Sequence, residues 1–294
     1  MINHSRRRFI AAAALLGAAA SGSGKPVQAA SRNELSPDRR GVLVDTTVCI
    51  GCRTCEWACR KAHGYDDEKL ENYQSTDVFK KVRRPDETRL TVINQYSQRQ
   101  TETFVKFQCM HCDEPACVSA CIVGAFHKEE KGSVLWDTDK CIGCRYCMVA
   151  CPFQVPAFEY EKAFRPDIIK CDFCKQRTDK GERPACVAEC PVEAMIFGTR
   201  AELLQIAKDR IRRHPEKYKD HIFGETEVGG TAWLYLAERD FAEIGFPKLG
   251  RNPAPGVSES IQHGIFAYFV PPVSLYALLG GIMWLMKHRE EPDD

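Results

Sequence analysis

The sequence predicts an α+β fold in which a small unit is duplicated and carries insertions, followed by one C-terminal apolar helix. Three observations carry that prediction. The 294 residues contain 16 cysteines, and these fall into four groups with none left over. The groups are Cys49/Cys52/Cys55/Cys59, Cys109/Cys112/Cys117/Cys121, Cys141/Cys144/Cys147/Cys151 and Cys171/Cys174/Cys186/Cys190. Two kinds of segment alternate along the chain. Thr47 to Cys59 (TVCIGCRTCEWAC) matches Asp139 to Cys151 (DKCIGCRYCMVAC), and Pro115 to Ala125 (PACVSACIVGA) matches Pro184 to Ala194 (PACVAECPVEA). An A-B-A-B repeat of this kind marks duplicated units. Finally, Gly264 to Met286 carries no charged side chain.

Residues 1–29 read as an export leader. Arg6 and Arg7 precede Phe9, an alanine- and leucine-rich stretch runs from Ala11 to Ala20, and Val27 and Ala29 supply the small-residue exit. Twin arginines point to the Tat route, and Lys25 beside the expected cleavage at Ala29–Ala30 suits it. Residues 30–250 then form one domain. Gly41 to Asp45 and Ser133 to Asp137 are short apolar runs ahead of the A segments and are expected as strands. The stretch between the third and fourth cysteine of each group is expected as a short helix, closed by Pro152 and Pro191, which lack the next backbone donor. Residues 60–108 are an insertion whose apolar runs, Leu90 to Ile93 and Phe104 to Phe107, suggest a surface hairpin. Val192 to Phe197 reads as a returning strand and Thr231 to Leu236 as another. Between them, Leu203, Leu204, Ile206, Ala207 and Ile211 give Thr199 to Arg213 the apolar stripe of a helix ended by His214-Pro215. Residues 251–263 are a linker that begins within a Gly- and Pro-rich stretch from Leu249 to Gly256. Residues 264–286 would make a helix about 35 Å long, enough for a hydrocarbon core of roughly 30 Å. Residues 287–294 follow as a short tail, cytoplasmic if the leader carries the domain out.

Two of the cysteine groups follow C-x2-C-x2-C-x3-C, and Cys151 and Cys190 each precede proline. This is the bacterial ferredoxin run, in which three thiolates hold one 4Fe–4S cluster and the fourth holds a neighbour. Zinc fits less well. A zinc ribbon closes two separated pairs on one ion, whereas here three cysteines crowd into seven residues. Disulfides suit an exported chain, but C-x2-C-x2-C spacing leaves few unstrained partners and such scaffolds are much shorter. Sixteen ligands at four per cluster imply four clusters. Spacing alone leaves the sharing open between first-with-last and chain-adjacent pairing of groups. Tat carries folded cargo, which suits a chain that must receive its clusters before export.

The formal net charge of +1 says little about partners. The basic runs Lys80 to Arg84 and Arg210 to Arg213 read as solvated faces. No phosphate-binding glycine loop or dinucleotide fingerprint is visible. His111 and His127 lie beside cysteine groups, where they suit packing or a hydrogen bond to sulfur. His263 sits at the boundary of the apolar stretch.

On the strength of Cys141 to Pro152 (CIGCRYCMVACP) and the other three groups, the chain resembles the four-cluster iron–sulfur subunits of the DMSO reductase and formate dehydrogenase β-subunit superfamily. The resemblance covers about Leu43 to Arg200. Phe197 to Arg200, Gly229 to Thr231 and Ser260 to His263 resemble the HybA-type subunits of quinone-linked periplasmic nickel–iron hydrogenases. The resemblance implies four 4Fe–4S clusters, held by Cys49/Cys52/Cys55/Cys190, Cys171/Cys174/Cys186/Cys59, Cys109/Cys112/Cys117/Cys151 and Cys141/Cys144/Cys147/Cys121. It implies a non-catalytic electron carrier on the periplasmic face of the inner membrane, anchored by a single span. A hydrogenase small subunit is the expected partner on one side and a quinone-binding membrane subunit on the other. The β-subunit of a periplasmic formate dehydrogenase or other molybdoenzyme is the alternative. Arg60 and Ile122 depart from the proline that usually follows a fourth cysteine, so the local turns are expected to differ there.

Overall fold

The computed structural model describes residues 36–65, 69–98, 101–162, 167–256 and 274–286. The chain divides into units Met1–Glu34 and Leu35–Asp294, and every described residue belongs to the second. The leader, the first ten residues of the expected span, His263 and the tail lie outside the described residues.

β1 (Arg40–Asp45) is the middle strand of a three-stranded sheet. It runs antiparallel to β8 (Met195–Thr199) and parallel to β9 (Trp233–Leu236). Side chains of a strand alternate between faces, and both faces of this sheet are covered. Val42, Val44, Trp233 and Tyr235 enter the main core, whereas Leu43, Leu234 and Leu236 meet Leu203 and Ala207 of α6 (Arg200–Arg213). That helix begins with a capping box, Thr199 Oγ1 accepting from the Glu202 backbone and Glu202 accepting from the Thr199 backbone. Its last turn is tied to the sheet through Arg210, which donates to Asp45 Oδ2 at 2.8 Å; Tyr218 donates to the same oxygen at 2.7 Å.

The duplication is visible in the strand pairing. β1 precedes the first cysteine group and pairs with β8, which follows the last. β5 (Val134–Trp136) precedes the third group and pairs antiparallel with β4 (Phe126–Lys128), which follows the second. The helices pair in the same nested way. α1 (Thr54–Ala62) packs on α5 (Ala185–Ala188), and α2 (Ala116–Ser119) packs on α3 (Tyr146–Ala150). One unit therefore holds the first and last groups, and the other holds the middle two. A short pair, β6 (Ala157–Phe158) with β7 (Ile168–Ile169), and the single turn α4 (Lys175–Thr178) join them.

The insertion does form a hairpin, β2 (Thr91–Gln98) with β3 (Thr101–Gln108), in register Ile93↔Lys106. Its expected surface position is corrected by the structure. Val92, Ile93, Val105 and Lys106 are buried, because the base of the hairpin forms part of the wall behind the first cysteine group. The expected departure at Arg60 is also seen: with no proline after Cys59, α1 continues to Ala62, whereas its counterpart α3 stops at Ala150.

A further helix, α7, occupies 274–286, with Leu275, Tyr276, Met283 and Trp284 exposed. Among the described residues no helix is long and apolar enough to cross a membrane.

Candidate metal centres

Each A segment turns around its first three cysteines through left-handed backbone. Gly51 (φ 70) and Arg53 (φ 62) do this in the first, Gly143 (φ 67) and Arg145 (φ 62) in the second. Each B segment enters its helix through proline, Pro115 or Pro184, whose fixed φ suits an entry position. These devices bring the sixteen thiols, all free, into four quartets. Site I is a cavity ringed by Cys49, Cys52, Cys55 and Cys190, with about 380 Å³ of empty space. Site III is a cavity ringed by Cys109, Cys112, Cys117 and Cys151, with about 360 Å³. Two cavities of nearly equal size, each bounded by four thiols, fit the same occupant.

The other two quartets are visible through the charges that act on their thiols. At site II, burial pushes the Cys59 thiol well up, and the charges of Cys186, Cys171 and Cys174 add to it. All four of these side chains are 5–9% exposed. At site IV, burial raises Cys147 to about 12, helped by Cys144, Cys141 and Cys121. Each quartet also lies within reach of the next quartet's charge. Cys55 of site I feels Cys186 of site II, Cys171 of site II feels Cys109 of site III, and Cys117 of site III feels Cys147 of site IV. The order is thus I–II–III–IV.

Burial disfavours the thiolate, and it raises several of these thiols. Cys49 is pushed up to about 11 by burial although the Gly51 N–H pulls it down. Cys174 is pushed up to about 12 by burial and Cys186, against the Ala185 N–H. Backbone donors aim at other sulfurs too. Ala125 donates to Cys121 Sγ at 3.2 Å and Phe173 to Cys171 Sγ at 3.4 Å. Closely grouped thiols with N–H groups pointing at sulfur form a donor set suited to a soft metal–sulfide cluster.

Both ends of the line approach the surface. At site IV, Cys144 is exposed, and Ile142 and Val149 are 61% and 81% exposed. At site I, Ile50 is exposed beside Cys49. Lysines that composition could not reveal lie along the line, Lys106 and Lys170 buried and Lys128 half-buried. Lys106 lines site I and Lys170 lines site III. Lys128 bonds the carbonyls of His111, Cys112 and Gly132, and burial lowers its pKa to about 8. The visible signal for Lys106 was a lysine interrupting the apolar run Phe104 to Phe107.

His111 is fully buried, with Nδ1 accepting from the Val134 N–H at 2.9 Å. Burial and the charges of Lys170 and Lys128 hold its pKa well down. The ring is therefore neutral with its proton on Nε2, an atom with no partner among the described residues. His127 is exposed and faces Glu129 at 3.3 Å, away from any metal role. His63, Asp172 and Cys174 also approach one another, but Cys174 belongs to site II and His63 bonds Asp172 at 3.0 Å.

The chain is similar to known proteins. Residues 100–200 match the family described as a 4Fe-4S dicluster domain. A protein of Nitratidesulfovibrio vulgaris is 50% identical over 221 residues, which are 74% of this chain but only 60% of that one. The Hydrogenase-2 operon protein HybA of Escherichia coli is 35% identical over 98% of this chain and 97% of its own. The iron-sulfur subunit of the nitrate-inducible formate dehydrogenase of Escherichia coli is 32% identical over 76% of each.

Proposed function

Since the chain belongs to the iron–sulfur subunits of the DMSO reductase and formate dehydrogenase superfamily, and within it to the HybA type, we propose that it is a four-cluster electron carrier. It joins a periplasmic catalytic subunit, the small subunit of a nickel–iron hydrogenase, to a quinone-binding subunit in the membrane. It performs no substrate chemistry of its own.

One observation carries this reading: four cysteine quartets lie in a single order, buried in the middle and reaching the surface at both ends. Cys49/Cys52/Cys55/Cys190, Cys59/Cys171/Cys174/Cys186, Cys109/Cys112/Cys117/Cys151 and Cys121/Cys141/Cys144/Cys147 would each hold one 4Fe–4S cluster. The nested pairing β1–β8 and β4–β5 supports first-with-last sharing over chain-adjacent sharing. When bound, such clusters supply reversible one-electron oxidation and reduction at potentials set by charge, hydrogen bonding and exposure. The chain's own residues supply the surroundings. Phe153, Met110 and Val134 keep water from site III, and Ile93, Val44 and Met195 do so at site I. The sulfur-directed N–H groups favour the thiolate over the thiol.

The place of the chain follows from its ends. Arg6 and Arg7 support Tat export, and the uncharged stretch 264–286 supports a single span. With the domain outside, the tail 287–294 lies in the cytoplasm. The second reading, a formate dehydrogenase β-subunit, is favoured by the 32% identical relative. The match to HybA over nearly both whole chains favours the first.

The test joins composition with turnover. The anaerobically purified chain should contain about 16 iron atoms and copurify with nickel–iron subunits rather than a molybdopterin subunit. Cys147→Ser should remove about a quarter of that iron. It should cut hydrogen-dependent quinone reduction at least tenfold while leaving dye reduction by the catalytic partner intact. Quinone reduction at the full rate would overturn the reading.

A further inference from the structure

Lys106 is a buried cation at the first site of the line. Its side chain is 2% exposed and lines site I beside Cys49, Cys52, Cys55 and Cys190. Among the described residues no carboxylate compensates it. The buried carboxylate of Glu56 lies near Cys55, but Arg53 at 3.2 Å and Arg83 at 2.6 Å already pair with it. An isolated buried charge is costly, so a protein keeps one only where a counter-charge or a fixed set of dipoles holds it.

The hydrogen bonds around Lys106 are arranged for an ammonium ion. Nζ donates to Thr91 Oγ1 at 2.7 Å and to Gln108 Oε1 at 2.9 Å. Thr91 sends its own proton to the Phe107 carbonyl, and Gln108 sends its amide protons to the Tyr235 hydroxyl at 2.7 Å. Tyr235 in turn donates to the Lys106 carbonyl at 3.0 Å. Each neutral neighbour has its proton engaged elsewhere and offers Lys106 a lone pair. The third side is closed by the face of Trp233, with Nζ 4.5 Å from the ring centroid, a geometry that attracts a cation. Together these contacts hold a full positive charge in place and leave it no mobile partner.

The charge acts across the first junction of the line. Its positive charge reaches Cys49 and Cys55 of site I, and Cys59, Cys171 and Cys174 of site II. We propose that Lys106 is a fixed cation that sets the reduction potentials of the clusters at sites I and II, raising both above what their thiolates and burial alone would give. The inference rests on the four-site reading above. A cluster held at either site would gain one electron, and therefore one negative charge, from the donor that loses it: dithionite in a titration, a neighbouring cluster in the line. Lys106 gains and loses no proton in that step. Its positive charge lowers the cost of placing the electron at either site.

The test is a redox titration of the full-length chain, purified anaerobically with its accompanying subunits and followed by the spin signals of the reduced clusters. Dithionite is the reductant. Lys106→Met and Lys106→Gln should keep the iron content of the unaltered protein. Both should lower the potentials of two clusters by a tenfold or greater change in reduction equilibrium, 59 mV for one electron, with the other two unchanged. Lys106→Arg should restore most of the shift. Unchanged potentials in iron-replete Lys106→Met or Lys106→Gln would overturn the proposal. So would loss of iron from both with retention in Lys106→Arg, because the lysine would then serve assembly. Too little iron for four clusters in the unaltered chain would instead count against the four-site reading itself.

Discussion

His63 and Asp172 join the two cysteine groups of the first unit through side chains that are not themselves sulfur donors. His63 Nδ1 donates to the Cys59 carbonyl at 2.7 Å, and Nε2 lies 3.0 Å from Asp172 Oδ1, which also accepts from the Cys174 N–H. Burial pulls the imidazole pKa down, but the hydrogen bond and charge of Asp172 outweigh it and leave a net rise. Burial raises the Asp172 pKa, and His63 and the Cys174 N–H more than reverse that. A raised histidine stabilises the fold below its unfolded value, about 6.5, and loses that contribution as pH climbs through the folded value. A depressed aspartate contributes above about 3.9 and loses it as pH falls. The pair is therefore strongest at about pH 4–6.5. His63→Gln should cost about 1 kcal/mol there, discounted for partial exposure, and progressively less toward pH 8. Denaturant melts of both proteins across that range would check it; a difference independent of pH would remove the ion pair from the account. At this scale the sixteen cysteines were legible because metal-ligand spacing is local in sequence. Lys106, Lys170 and the Asp172 partnership were not, because burial of a charge is decided by segments far apart in the chain.

Among the elements, the left-handed turn of each A segment does most to shape its site. Gly51 has φ 70, and a Cβ there would sit 2.4 Å from the Phe104 ring, so neither the backbone nor the hairpin leaves room for a side chain. Gly51→Ala should destabilise the protein by about 2 kcal/mol through strain and overpacking, with iron lost first from site I. Combining it with Phe104→Ala should recover part of that loss, since the clash is relieved and the backbone strain is not. Thermal melts and iron analysis would check it. Full stability of Gly51→Ala would show that the turn tolerates a side chain. The strands β1, β8 and β9 were legible from apolar runs, and helix α6 from the apolar stripe Leu203, Leu204, Ile206, Ala207 and Ile211. The depth of the hairpin was not. Its alternation Val92, Asn94, Tyr96 reads as half-exposed, yet Asn94 is held inside by Arg83, donating to its carbonyl and accepting from its N–H.

For the molecule as a whole, the consequential property is the order of the four quartets between two surface-facing ends. That order was unreadable from spacing, which is blind to the pairing of groups, and becomes readable only once β1 is seen against β8. The placement of the chain is tested at the same scale. Arg6→Lys with Arg7→Lys should abolish accumulation outside the cytoplasm, measured by fractionation. Normal accumulation would remove the Tat leader from the account.

The nested pairing of strands also sets a timetable for synthesis. Sites III and IV need only residues up to Cys151, so they can close while the chain is still being made. Sites I and II wait for Cys186 and Cys190, and β1 cannot complete its sheet before β8 and β9 have emerged. The first cysteines to leave the ribosome are thus among the last to find their partners. Until then Cys49 to Cys59 remain exposed thiols, open to oxidation and in need of shelter. A chaperone or a reducing cytoplasm would matter most to this opening stretch, and a stalled or truncated chain would carry two finished sites and two half-built ones.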